Sequence, residues 1–344
     1  MTEGVEIWNG RSTPEIIDVA QSMFRLQGEE RDRELFDWQY AGPLGGAYVA
    51  LAHDQRGPLL GPVALYAAFP NRFLVHGIEV IGVQSFDTLT VAEFRGRGLF
   101  VELAKSLYTL METTDIELVY GIPNALSVSG FSKHLGWKMI DPLPMRVRPI
   151  GLRFGRVRVG LRKPSLENRV GQSKSITMVL AIPPDISELF HSFVTDKYVG
   201  VIRDFEYLSW RLSRPGSTYR MFEKRSSSGT LLAFGVYELL LKHDCCLGYV
   251  MELMIAPGRE HDGKVLLSEM ISEMQCRGAD LVFCLSIPGS NAYRGLRSNH
   301  FFNFSERIRP IELHCGFRPI GRKIIAANLA RENWNFSYLD SDTV

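Results

Sequence analysis

The chain has 344 residues, enough for about two domains, and either half is long enough to bury a core of its own. Hydrophobic residues make up 45% and charged residues 22%, an ordinary globular composition, while a formal net charge of +1 argues against a general nucleic-acid binder. No apolar run has the length needed to cross a bilayer, and Met1 to Gly10 is too polar for a secretion leader, so a cytoplasmic protein is expected.

The first pattern in chain order is Leu35-Phe36-Asp37-Trp38-Gln39-Tyr40, followed by Pro43. Next, Tyr48-Val49-Ala50-Leu51 and Val63 to Ala68 flank a polar turn at Gln55-Arg56-Gly57, which reads as a hairpin. Val80 to Val91 reads as a strand, with Glu79 at its exposed start and Asp87 as the one carboxylate inside the apolar run. A carboxylate among apolar neighbours becomes more basic, which suits proton abstraction near neutrality, although it also bonds nearby backbone groups.

Phe94-Arg95-Gly96-Arg97-Gly98-Leu99-Phe100 then links that strand to a helix predicted over Leu99 to Glu112. Two glycines at such a turn let several N–H groups point the same way. The helix start adds its unsatisfied donors and about half a positive charge, an arrangement that receives phosphate. Arg95 and Arg97 add side-chain charge. Glu117 to Ile122 reads as a buried strand, followed by Pro123-Asn124 and a helical stretch that carries His134 and ends at Leu135-Gly136-Trp137. Asn124 and Ser127 in that stretch are also good turn and cap residues.

Beyond it, Pro142, Pro144 and Pro149 break helix, and Met145 to Arg148 reads as a closing strand. No acidic residue interrupts Arg146, Arg148, Arg153, Arg156, Arg158, Arg162 and Lys163, which form either a solvated linker or a set of phosphate contacts. Ser165 to Ser175 is polar and Gly-containing, the most flexible composition in the chain.

The sequence then repeats itself. Tyr207-Leu208-Ser209-Trp210-Arg211-Leu212 with Pro215 returns the Trp38 and Pro43 pattern at an offset of 172 residues. Tyr219 to Phe222, a Ser226 to Gly229 turn and Leu231 to Leu239 repeat the hairpin. Val265 to Gln275 and Leu281 to Leu285 repeat the helix and strand, and Gly316-Phe317, preceded by His314, repeats Gly136-Trp137. Five matched features in one order indicate tandem domains. The expected division is a first domain over 1–150, a basic Pro/Gly/Arg linker over 151–180, a second domain over 181–330 and a tail over 331–344.

The copies differ where the first has its glycine loop. Ala256-Pro257-Gly258-Arg259-Glu260-His261-Asp262-Gly263-Lys264 places two negative charges where a phosphate would sit, so the second copy is expected to serve as a scaffold or a wall of the acceptor site. Cys245, Cys246, Cys276, Cys284 and Cys315 are odd in number and lack Cys-x-x-Cys spacing, which argues for buried free thiols and against a disulfide framework or a metal site.

The order strand, Arg-x-x-Gly, helix, strand, Pro-Asn, helix, Gly-aromatic over Gly82 to Ile140 resembles the core of a GNAT acyltransferase. The resemblance implies an α/β fold of two tandem GNAT-like domains, each a mixed, mostly antiparallel sheet with a central splayed parallel pair flanked by helices. It implies that Arg95, Gly96, Arg97, Gly98, Leu99 and Phe100 wrap the pyrophosphate of an acyl-CoA, and that Asn124 and Ser127 bond its pantetheine arm. The backbone N–H groups of Leu89, Thr90 and Val91 would hold the thioester carbonyl.

Two departures stand out. Phe100 occupies the last position of the loop motif, where the family has a small residue. The tyrosine that many members use to protonate the departing thiolate falls here on Phe131 or Ser132, which leaves His134 as a candidate acid beside Asp87 as candidate base.

The resemblance implies N-acyl transfer from acetyl-CoA or another short acyl-CoA, without a metal, to a primary amine in a cleft between the domains. A small-molecule acceptor, first of all a nucleotide-linked amino sugar, fits the Trp38-Gln39-Tyr40 and Asp87-Thr88-Leu89-Thr90 stretches in style. A peptide, an aminoglycoside or another small amine is the alternative acceptor, and a non-catalytic acyl-CoA-binding module is the alternative from another class.

Overall fold

The computed structural model describes residues 4–55, 61–124, 126–140, 143–151, 176–242, 245–305, 313–324 and 329–341. The chain forms two compact units, one of residues 1–142 with 213–216 and 312–330, the other of 143–212 with 217–311 and 331–344.

In the first unit, β1 (Val5–Arg11), α1 (Pro14–Leu26), α2 (Arg33–Ala41), β2 (Tyr48–Asp54), β3 (Gly61–Val75) and β4 (Ile78–Thr90) come first. They are followed by α3 (Leu99–Met111), β5 (Ile116–Gly121), α4 (Val128–His134) and β6 (Lys138–Met139). Thr13 caps α1, accepting from the Ile16 N–H at 3.4 Å, and Pro14 presets the first helical turn. The long β3–β4 hairpin closes on His76-Gly77, both at positive φ, the conformation that tight antiparallel turns require.

The second unit contains β7 (Met145–Pro149), β8 (Thr177–Val179), α5 (Ile186–Phe193), β9 (Val199–Val201), α6 (Phe205–Leu212), β10 (Arg220–Arg225), β11 (Leu231–Lys242) and β12 (Cys245–Ile255). After these come α7 (Glu260–Cys276), β13 (Leu281–Leu285), α8 (Tyr293–Ser298) and β14 (Phe302–Asn303). A last strand, β15 (Gly316–Pro319), belongs to the first unit.

The first sheet has the order β1-β2-β3-β4-β5-β15-β6 and the second β14-β7-β13-β12-β11-β10-β8. All neighbours are antiparallel except the central pairs β4–β5 and β12–β13. Each sheet is thus mixed and mostly antiparallel around one parallel pair, the expected fold class.

The strands are not shared out as the repeat suggests. Met145–Pro149, expected to close the first copy, pairs with β13 in the second sheet. Gly316–Pro319, expected to close the second copy, pairs with β5 and β6 in the first. A domain limit at residue 150 and a second domain running to 330 therefore misplace both closing strands. The linker expected over 151–180 ends in β8, which pairs with β10, while its residues 152–175, with Ser165 to Ser175, lie outside the described residues.

Residues 331–341, expected as a tail, pack into the second unit. Trp334, Phe336, Tyr338 and Leu339 are buried in the second unit, and Arg211 donates to the Leu339 and Ser341 carbonyls at 2.6 Å. Asp340 and Glu252 flank the fully buried Arg203, with Glu252 2.8 Å from its Nε. Burial opposes the Arg203 charge, but these two carboxylates outweigh it and hold the guanidinium above its ordinary range. None of the five cysteines is in a disulfide, and Cys276 is exposed rather than buried. No described helix is long and apolar enough to cross a membrane, and no described group of His, Cys, Asp and Glu has the makings of a metal site.

Candidate functional site

β4 and β5 pair from Ile81 opposite Ile116 to Gln84 opposite Tyr120, with a slip in register between Ile81 and Gly82. β5 then ends at Gly121, while β4 runs on to Thr90 with β3 beside it. Beyond Gln84 the two parallel strands part, and one edge of β4 faces the opening. The Val91 N–H is not on that edge, since it donates to the Val63 carbonyl of β3 at 3.0 Å. Alternation along an antiparallel ladder turns Leu89 the same way and turns Thr90 and Thr88 toward the opening. Of the three residues expected to present N–H groups there, Thr90 does so, and Thr88 joins it.

The glycine loop follows directly. Gly96 and Gly98 lie at φ of +77° and +82°, and a Cβ on either would meet nothing within 4 Å, so the backbone is bare on its outer side. Gly98 is the N-cap of α3 and offers no side-chain acceptor, which leaves the helix's first N–H groups to an incoming anion. Both arginines fold back on the loop. Arg95 Nε donates to the Thr90 carbonyl at 3.1 Å, and Arg97 donates to the Glu93 carbonyl at 2.9 Å with its guanidinium 4.4 Å from the Phe94 ring centre. They brace the turn and stay exposed at its rim.

Asp87 is the extra residue of a β-bulge, at φ of +28°, where the β3 register slips between Tyr66 and Ala67. Its carboxylate is buried and accepts from Arg31 Nη1 at 2.7 Å. Arg31 also lies over the Phe24 ring at 4.0 Å. Burial weakens the Arg31 charge, but Asp87 outweighs that and Glu29 adds to it, so the guanidinium titrates above its ordinary value. The carboxylate expected to stand among apolar neighbours is thus ion-paired to an arginine of another segment. The Tyr40 hydroxyl is raised by its burial first and by Asp87's charge second.

Asn124 Oδ1 accepts from the Leu126 and Ser127 N–H groups at 3.0 Å and from Ser127 Oγ at 3.1 Å. The two residues expected to hold a ligand therefore form the turn that starts α4, with Asn124 exposed. His134 is the exposed last residue of that helix.

Phe100 has a structural explanation that the sequence did not supply. Its ring meets Phe131 edge-on at 4.9 Å and lies against Gly130 of α4, where a Cβ would fall 2.6 Å from Phe100 Cε1. Phe131 contacts Trp137 at 4.3 Å, and Trp137 Nε1 donates to the Tyr108 hydroxyl at 3.0 Å. Tyr108 in turn shares a 2.9 Å hydrogen bond with Tyr66, whose hydroxyl burial pushes up to about 12. An aromatic cluster thus joins α3, α4 and β3 behind the loop. Phe131, one of the two positions where the tyrosine acid was expected, is buried inside it, and Ser132, the other, donates to the Val128 carbonyl at 2.9 Å.

In the second unit, the expected loop over 256–264 is helical from Glu260, because Glu260 and Asp262 suit the first turn of a helix. Arg146 lies 4.6 Å over the Tyr293 ring and Arg148 donates to the Asn299 carbonyl at 2.7 Å, so these two of the basic run are internal contacts.

No protein-family model matches the chain, and no curated protein matches it. Solved structures do. A conserved protein of unknown function from Enterococcus faecalis V583, described as a probable N-acyltransferase, superposes with a TM-score of 0.63 at 13% identity over 92% of this chain and 73% of that one. Saccharomyces cerevisiae N-myristoyltransferase with bound myristoyl-CoA does so with 0.61 at 13% identity, over 100% and 90%. A GCN5-related N-acetyltransferase from Anabaena variabilis gives 0.61 at 12% identity, over 92% and 73%. At these identities the likeness is one of fold.

Proposed function

We propose that the chain is an acyl-CoA-dependent N-acyltransferase whose donor lies in the first unit. The observation that carries this reading is the parting of β4 from β5 directly before a bare glycine loop and an uncapped helix start. A pyrophosphate meets the N–H groups of Gly98 to Phe100, and the pantetheine arm runs along the open edge of β4. The Thr90 and Thr88 N–H groups are the donors for the thioester carbonyl as its oxygen gains charge.

The amine nitrogen attacks the carbonyl carbon, the C–S bond breaks, and the thiolate leaves. Asp87, paired with Arg31, is the proposed acceptor of the amine proton, and His134 remains the proposed acid. The acceptor is a primary amine on a small molecule, a nucleotide-linked amino sugar being the first to try, and the compartment proposed is the cytoplasm. The proposed acyl group is acetyl or another short one. A longer one is the second reading, favoured by the full-length likeness to a structure holding myristoyl-CoA.

Incubating the protein with acyl-CoAs from acetyl to myristoyl and a panel of amines, and following free thiol, tests the proposal. Thiol release that depends on one class of amine is expected. Binding of acyl-CoA without release for any amine would leave a non-catalytic binding module.

A further inference from the structure

The second unit has its own parted pair. β12 and β13 keep register from Leu247 opposite Leu281 to Val250 opposite Cys284, after which β12 runs on to Ile255. The Ala256 N–H donates to Leu232 on β11 at 2.9 Å, as Val91 does to Val63 on β3. Ile255 therefore holds the place of Thr90, with its N–H and carbonyl turned to the opening. A cavity of about 450 Å³ lies there, lined by Ile255, Pro257, Gly258 and Asn291 among others. Its position makes it a second candidate for an acyl donor.

The edge is already taken. The Ile255 N–H donates to Asn291 Oδ1 at 2.7 Å, and Asn291 Nδ2 donates to the Ile255 carbonyl at 2.5 Å. One carboxamide fills both backbone groups, as an amide of a ligand or a neighbouring strand would. α7 closes in from the other side: a Cβ on Gly263 would fall 2.3 Å from Ile255 Cδ1. Around the cavity, Glu260 and Glu332 outnumber Lys197, a balance that disfavours a pyrophosphate.

We infer that Asn291 is an internal stand-in for a donor's amide that closes the second strand edge, so that the chain takes one acyl-CoA and takes it in the first unit. The inference rests on the acyl-donor reading of that unit. Asn291 fills the backbone groups of the edge while leaving the repeated fold intact, and the acidic rim of the cavity disfavours a second donor independently of it.

The test uses the full chain, equilibrium binding of coenzyme A, and residue-level hydrogen exchange at Ile255. The unaltered protein is expected to bind one coenzyme A per chain, and Gly98→Glu none, with Arg97→Glu as a weakened companion that keeps the left-handed glycine. Asn291→Ala is expected to keep one site while the Ile255 amide exchanges roughly fivefold faster, the effect of about one net hydrogen bond. Two sites in the unaltered protein, coenzyme A retained by Gly98→Glu, or an Ile255 exchange rate unchanged in Asn291→Ala would each overturn the inference. If the unaltered protein binds none, the donor reading of the first unit fails, and the Ile255 exchange rate still decides what Asn291 does.

Discussion

Gly130 and Phe100 make a pair whose coupling can be worked out in advance. In an open helix position, replacing glycine with alanine stabilises by about 1 kcal/mol. Here the new methyl carbon would fall 2.6 Å from Phe100 Cε1 and 3.1 Å from Cδ1, where carbon atoms settle near about 3.5–4.0 Å. The ring must move by roughly 1 Å, against Phe131 at 4.9 Å and Tyr66 at 6.1 Å, and overpacking of this kind costs about 1–3 kcal/mol. Gly130→Ala should therefore destabilise α4 by about 1 kcal/mol net. With Phe100→Ala already in place, the same change should stabilise by about 1 kcal/mol, because the obstacle is gone. Hydrogen exchange of the 128–134 amides is the suitable assay, since a chain of two units need not unfold in one step. Because Phe100 stands in the first turn behind the glycine loop, acyl-CoA affinity should fall in Gly130→Ala alone. A Gly130→Ala chain that gains stability in both backgrounds would show that Phe100 is not seated on Gly130.

Asp87→Asn should lower turnover roughly 100-fold while leaving acyl-CoA affinity within about twofold, and steady-state rates equal to the unaltered enzyme would remove Asp87 from the chemistry. Arg203→Met strands Glu252 and Asp340 in the second unit without their cation, so chemical denaturation should show a loss of about 3–5 kcal/mol. Asp185 is held below its ordinary value of 3.8, chiefly by its bonds from Arg225. A lowered folded value means stability that is present above pH 3.8 and fades as the pH falls past it. The melting difference between the unaltered protein and Arg225→Ala should be modest at pH 7 and vanish in stronger acid; a difference that grows in acid would contradict the assignment.

The repeat and the glycine loop were legible because periodicity and glycine placement are local signals, whereas the parallel pairs were expected only from the resemblance. The destinations of Met145–Pro149 and Gly316–Pro319 were not, because a short strand carries no mark of which of two similar sheets it will join. Asp87 stood out as a lone carboxylate in an apolar run, but its partner Arg31 lies 56 residues away, and no local signal in the sequence joins the two. Asn124 and Asn291 show the same limit from opposite directions. The first drew attention by its motif and serves its own helix turn, whereas the second had no motif and closes a strand edge. The burial of Trp334, Phe336 and Tyr338 rests on aromatic packing and on Arg211 bonding carbonyls, neither of which leaves a period in the sequence.

The exchange of closing strands sets a timetable for biogenesis. β5 is complete at Gly121, but the strand that covers its outer edge begins at Gly316, roughly 200 residues later. At about 5–20 residues per second, a ribosome needs roughly ten to forty seconds to supply it. Through that interval the nascent first unit carries an uncovered strand edge, the kind of surface on which neighbouring nascent chains associate. The second unit faces no such delay, because β7 has left the ribosome before β13 is made. A frameshift or premature stop between residues 122 and 316 therefore disables the first unit as well, even though every residue of its glycine loop has been translated.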